Sequence, residues 1–164
     1  MITAYVGIGS NIERRKHIQA AIDELSALGH ELRLSTIFEC EAVDFESHPF
    51  YNLVVEMKTT LDLAEFSRQL RQIELKWGRA ENAAKYEPRT LDLDIILFGD
   101  VVSDAQPELP RSDIFKYAFV LKPLVELCPA RVVPQDGRSI KQIWQQSTFD
   151  TALVPVPLWF NHKF

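Results

Sequence analysis

Ile2, Ala4, Val6 and Ile8 alternate with other residues, the period of a strand buried on one face. Gly9, Ser10 and Asn11 interrupt the alternation. Ile18, Ala21, Ile22, Leu25 and Leu28 then recur at helical spacing, with Ser10 or Asn11 suited to cap the start and Gly29 the end. A second strand is expected over residues 32–40, with Leu32, Leu34, Thr36, Phe38 and Cys40 on one face and Glu31, Arg33, Ser35, Glu39 and Glu41 on the other. After an acidic loop containing Pro49, Leu53, Val55 and Met57 mark a third strand over residues 51–59. Asp62 caps a helix whose stripe is Leu63, Phe66, Leu70, Ile73 and Trp77, with Glu65 completing a capping-box-like pair and Gly78 as the stop. Residues 79–89 show no period. Residues 91–98 form the most apolar strand, expected at the centre of the sheet and broken only by Asp92 and Asp94. Beyond Gly99, prolines punctuate short segments, with helical turns expected to start at Pro123 and near residues 139–145. The Leu158, Trp159 and Phe160 cluster at the end either docks as a flap or frays.

Strand, helix, strand, strand, helix, strand is the split βαβ order. It predicts an α+β fold with a ferredoxin-like βαββαβ core, two helices on one face of an antiparallel sheet, and a C-terminal extension. The chain's 164 residues, 46% hydrophobic and 25% charged, suit a single domain over 1–164. This fold serves RNA-binding modules, metal carriers, regulatory domains and enzymes alike, so the site must decide.

A net charge of −5 argues against broad electrostatic capture of nucleic acid or anionic lipid, and an RNA-binding module would show a basic-aromatic pattern that is missing. The sequence shows no apolar run of spanning length and no basic-then-apolar leader pattern, so the expected location is cytoplasmic. The expected partners are small molecules, with neither nucleic acid nor membrane, and the expected oligomeric state is a monomer. Cys40 and Cys128 form no CxxC pair and read as buried thiols, and His17, His30, His48 and His162 lack zinc-site spacing.

Asp92 and Asp94, two apart on one strand, project from the same face with Cα atoms about 6.5–7 Å apart. Two neighbouring carboxylates on a buried strand repel unless a cation compensates them, and Mg²⁺ is the suitable ion. Spacing alone fits either that reading or a solvated sheet face. Between residues 68 and 89, six cations (Arg68, Arg71, Lys76, Arg79, Lys85, Arg89) stand against three acids (Glu74, Glu81, Glu87), a basic patch in an acidic protein. Arg79 and Arg89, nearest the aspartates, suit bidentate clamping of phosphate, while Arg68, Arg71 and Lys76 read as solubilising charges. Gly7, Ile8, Gly9, Ser10 and Asn11 lack the Gly-Lys-Ser/Thr of a phosphate loop and read as a tight turn that another group can approach closely. Phe50 and Asn52 share a face, and with Phe119 they could sandwich and hydrogen-bond a flat heterocycle, although singly each suits a core. The residues by themselves favour a metal-dependent phosphoryl-transfer enzyme.

The run from Glu87 through Pro88, Arg89, Thr90, Leu91, Asp92, Leu93, Asp94, Ile95, Ile96, Leu97 and Phe98 to Gly99 resembles the signature of the 6-hydroxymethyl-7,8-dihydropterin pyrophosphokinases of folate biosynthesis. Ile8 to Asn11, Ile73-Glu74, Gly78-Arg79, and Phe119, Leu121, Pro123 and Leu124 reinforce the likeness, which runs from the first strand to about Phe149. The resemblance implies transfer of the β,γ-pyrophosphoryl group of ATP to the hydroxymethyl oxygen of a reduced pterin, with AMP leaving. It implies two Mg²⁺ ions on Asp92 and Asp94, phosphate contacts from Arg79 and Arg89, and catalysis by these four. Phe50 and Phe119 would stack on the pterin, with Asn52 on its edge and Gly9 beside it; Glu74, Arg79, Arg89 and Arg111 would hold nucleotide. No general base is assigned.

Some positions depart from the family pattern. Glu81 stands where a basic residue is common, Tyr86 where tryptophan is frequent and Glu87 where a small residue is usual; Arg111-Ser112 replaces His-Tyr, and Tyr117 replaces a frequent arginine. They raise the alternative of a pterin-binding paralogue with weakened or lost ATP use, in which Arg111 restores part of the missing positive charge.

Overall fold

The computed structural model describes residues 1–41, 48–78, 91–149 and 152–161. Strand β1 (Ile2–Ser10) leads into helix α1 (Arg14–Ser26), followed by β2 (His30–Leu34), β3 (Ile37–Cys40) and β4 (Phe50–Thr59). Helix α2 (Leu63–Lys76) precedes β5 (Asp92–Phe98), and then come α3 (Asp113–Lys116), α4 (Ala118–Leu127), α5 (Ile140–Gln146) and β6 (Val154–Val156). The sheet order is β5-β1-β4-β3-β6, with β2 also on β4 and every recorded pairing antiparallel. The ferredoxin-like core is as expected.

The alternating residues of β1 and β4 explain why the sheet has two cores. Ala4, Val6, Ile8, Leu53, Val55 and Met57 pack against Ile18, Ile22 and Leu25 of α1 and Phe66, Leu70 and Ile73 of α2. Tyr5, Val54 and Ile96 face the other way, toward Ile114, Val120, Leu121, Leu124, Ile140 and Ile143. Helices therefore cover both faces rather than one. The C-terminal extension supplies the second layer.

Several local expectations need correction. First, β1 continues through Gly9 to Ser10, because both residues pair with Asn52 and Tyr51 of β4; these glycines lie in a strand, not a turn. Second, neither Ser10 nor Asn11 caps α1, which starts after Glu13 at φ 42 without a side-chain cap; the Ser10 hydroxyl instead donates to the Ile12 carbonyl. Gly29 lies beyond the helix end, where a Cβ would collide with the Lys58 carbonyl oxygen. Third, the second strand is broken at Ser35 and Thr36. Ser35 exchanges hydrogen bonds with Val54, N–H to carbonyl at 3.0 Å and Val54 N–H to the Ser35 hydroxyl at 2.9 Å. The extra residue reverses the alternation, so Leu32, Leu34 and Ile37 face the α1–α2 core, while Phe38 and Cys40 pair with Asn52 and Phe50 on the opposite face.

Fourth, β5 lies at the sheet edge, not its centre. Its apolar run reflects burial on both faces, and its outer edge is occupied: Leu93 N–H donates to Glu74 Oε2 at 2.9 Å and Arg111 N–H to the Ile96 carbonyl at 3.0 Å. Fifth, α4 begins at Ala118 and contains Pro123 rather than starting there. Helix α2 matches its pattern, with the Asp62 carboxylate accepting from Glu65 N–H at 2.9 Å and Gly78 at φ 104 beyond its end. The Glu65 side chain accepts from Arg68 and Gln69 instead of closing a capping box. Ser139 and Gln142 do form one on α5. The terminal segment docks: β6 pairs with β3, and the Trp159 and Tyr51 rings lie 6.0 Å apart.

Candidate active site

Antiparallel register puts one row of residues across the sheet. Asp92 pairs with Gly9, Gly9 with Asn52, and Asn52 with Phe38, so Asp92 and Asn52 share the face covered by the α3–α5 layer. In the next row Asp94 pairs with Gly7 and Gly7 with Val54. Phe50 follows on the same face, opposite Cys40. Five expected site residues, Gly9, Phe50, Asn52, Asp92 and Asp94, thus meet at one end of one sheet face.

Gly9 is required by close approach. A Cβ there would lie 2.8 Å from Asn52 Oδ1 and 3.7 Å from a Phe50 ring carbon, so its absence lets the amide lie across β1. Asn52 Nδ2 donates to Cys40 Sγ at 2.8 Å, which fixes the other end of the amide. Burial pushes the Cys40 thiol up to about 11, and the Asn52 hydrogen bond opposes that rise only in part. Cys40 was legible as a buried thiol but not as a partner of Asn52, because the Ser35–Thr36 break moves it to this face.

Asp92 is half-buried, and the Asp94 side chain is 44% exposed. Arg111 approaches Asp94 from the segment after β5: Nη2 is 3.7 Å from Asp94 Oδ1, and Nε donates to Asp113 Oδ2 at 2.8 Å. Burial disfavours the charged guanidinium, but the charges of Asp94 and Asp113 outweigh it and raise its pKa above the ordinary arginine value. Arg111 therefore stays charged. Paired carboxylates with hard oxygen atoms on a partly open sheet end fit Mg²⁺, which commonly takes one or two protein carboxylates and completes its shell with water and substrate phosphate. Among the described residues there is no group of three or more metal-ligating side chains.

Phe119 lies on α4, the helix packed over β4, and its ring stacks on Tyr117 with centroids 5.0 Å apart and planes at 19°. Tyr117 supports this ring. Glu74 does not join the Asp92 row; its buried carboxylate sits beyond the β5 edge, holding the Leu93 N–H between the two aspartates. Arg79 and Arg89 lie outside the described residues, as do Glu81, Tyr86 and Glu87.

A ferredoxin-like fold with paired carboxylates and a guanidinium at the open end of its sheet has the chemistry of a phosphoryl-type transferase. The particular family emerges from comparison with known proteins. Residues 5–129 match the family model described as 7,8-dihydro-6-hydroxymethylpterin-pyrophosphokinase (HPPK). Two relatives are described as 2-amino-4-hydroxy-6-hydroxymethyldihydropteridine pyrophosphokinase. The one from Pseudomonas aeruginosa is 37% identical over 89% of this chain and 92% of its own; the one from Aquifex aeolicus is 32% identical over 90% and 94%. The chain belongs to the 7,8-dihydro-6-hydroxymethylpterin-pyrophosphokinase family, diphosphotransferases that move pyrophosphate from ATP to hydroxymethyldihydropterin in folate synthesis. A solved Plasmodium falciparum HPPK-DHPS structure shares the fold, with a TM-score of 0.68 and 13% identity over 89% of this chain; the chain spans 43% of that longer one.

Proposed function

We propose that this chain carries out its family's reaction as one domain over residues 1–164, with Asp92 and Asp94 as the holders of two Mg²⁺ ions. The observation that carries the reading is the row from Asp92 through Gly9 to Asn52, with Asp94 and Arg111 one step behind it. When bound, Mg²⁺ supplies charge neutralisation on the transferring phosphates. The chain's own residues position the reactants. Asn52, held by Cys40 and accommodated by Gly9, presents a fixed amide to the polar edge of the pterin, and Phe50 and Phe119 offer aromatic faces for its ring. Arg111 brings a permanent positive charge to the phosphate side, and Arg79 and Arg89 contribute theirs from the connecting segment. Glu74 acts here by holding the strand that carries the aspartates, and the nucleotide contact expected of it rests on the resemblance alone. A loose phosphoryl-type transition state needs such positioning and charge compensation more than covalent help.

The proposed partners are ATP and the reduced pterin alone, with the protein acting in the cytoplasm as a monomer, without nucleic acid or membrane. Its net charge of −5 supports this, and no helix among the described residues is long and apolar enough to cross a membrane. The test is product analysis. AMP is expected only when pterin, ATP and Mg²⁺ are all present; ADP instead of AMP, or no AMP at saturating ATP, contradicts the reading.

A further inference from the structure

Arg111 is held at two points. Its backbone N–H donates to the Ile96 carbonyl at 3.0 Å, which fixes its Cα beside the β5 edge, two residues along from Asp94. Its guanidinium then lies between two carboxylates, close to Asp113 at 2.8 Å and more loosely placed by Asp94 at 3.7 Å. We infer that Arg111 competes with the divalent cation for Asp94, so that the free protein holds metal weakly and anionic nucleotide relieves the competition by drawing the guanidinium away.

This inference rests on the assignment of Asp94 as a metal ligand. A guanidinium cannot lose its charge near neutral pH, so the only way to lower its repulsion toward a cation on Asp94 is to give it another partner. Asp113 is one such partner, bonded to Nε, and leaves the Nη groups on the side of Asp94. A polyphosphate offers the fork a stronger, bidentate partner. Metal and nucleotide would therefore help each other bind, with Arg111 carrying part of the coupling, and linkage requires that help to be reciprocal. An arginine does this where a neutral side chain could not.

Two substitutions break the same Arg111–Asp113 ion pair but move metal affinity in opposite directions. Arg111→Met removes the competing charge and is expected to tighten Mn²⁺ binding without nucleotide about three- to fivefold, while weakening binding of a nonhydrolysable ATP analogue. Asp113→Asn frees Arg111 for Asp94 and is expected to weaken Mn²⁺ binding about two- to threefold. A purely structural role would move both variants the same way. Free Mn²⁺ measured by electron paramagnetic resonance during titration of each full-length protein gives the readout without turnover. Asp94→Ala separates the two levels of the argument. If it loses Mn²⁺ while Arg111→Met matches wild type, or if Asp113→Asn binds Mn²⁺ more tightly, the competition is wrong and the metal assignment stands. If Asp94→Ala binds Mn²⁺ as well as wild type, the metal assignment fails and the competition with it.

Discussion

The two faces of the sheet are built from the same strands by different rules. On the α1–α2 face the alternation is apolar along β1 and β4, and Phe66, Ile8, Leu53 and Met57 are fully buried. On the other face the same strands carry Gly7, Gly9, Phe50 and Asn52 beside Asp92 and Asp94, and the α3–α5 layer packs on Val54, level with Asp94, and on Tyr5 and Ile96 farther along. The first face is specified by volume. The second gives up packing at one end, and small residues there let a side-chain amide lie against the backbone. With the chemistry proposed for Asp92, Asp94 and Asn52, stability and chemistry fall on opposite sides of strands only one residue deep, and substitutions on the two sides should separate them.

The largest separation is expected at Phe66. Its ring packs on Phe98 with centroids 5.5 Å apart, and Phe66→Ala should cost about 3–5 kcal/mol in urea unfolding, with any surviving folded protein retaining its pterin affinity. Gly9→Ala makes the converse test. The added methyl would sit 2.8 Å from Asn52 Oδ1, so pterin affinity should fall about tenfold, equivalent to about 1.4 kcal/mol, while Tm changes by only a few degrees. A variant that loses stability and keeps its affinity would remove the close approach from the account.

Much of this division was legible in the alternation. Leu53, Val55 and Met57 gave the buried side of β4, and the two-residue spacing of Asp92 and Asp94 put both carboxylates on one face. What the pattern could not carry was anything decided by partners distant in sequence. The strand break at Ser35 depends on hydrogen bonds to Val54, and it moves Cys40 to the side of Asn52. The position of β5 was misread because burial on both faces gives an edge strand the composition of a central one. Arg111 was visible only as a departure from the pattern of the family the sequence resembles, but its place beside Asp94 follows from a backbone bond to Ile96. The roles of Arg79 and Arg89 rest on the resemblance.

Smaller effects sharpen the comparison away from the site. Asp62→Ala removes the α2 cap and should lower stability by about 1 kcal/mol without changing turnover, checked by paired unfolding and AMP-release curves. Glu65 gives a pH dependence of known sign. Its bonds to Arg68 and Gln69 hold its pKa at about 2 rather than the ordinary 4.5. A depressed folded-state pKa stabilises the fold above 4.5, and that contribution fades as pH falls toward 2. Glu65→Gln should therefore melt slightly below wild type at pH 6, with the gap closing by pH 2.5. Because the group is exposed, the gap stays small.

The central claim is that the acidic pair on β5 serves the phosphates and not the fold or the pterin. Single-turnover AMP formation by Asp94→Ala, measured beside its melting temperature and its pterin affinity, tests this most directly. AMP formation should fall to background while the other two stay close to wild type. Wild-type AMP formation in that variant would contradict the claim.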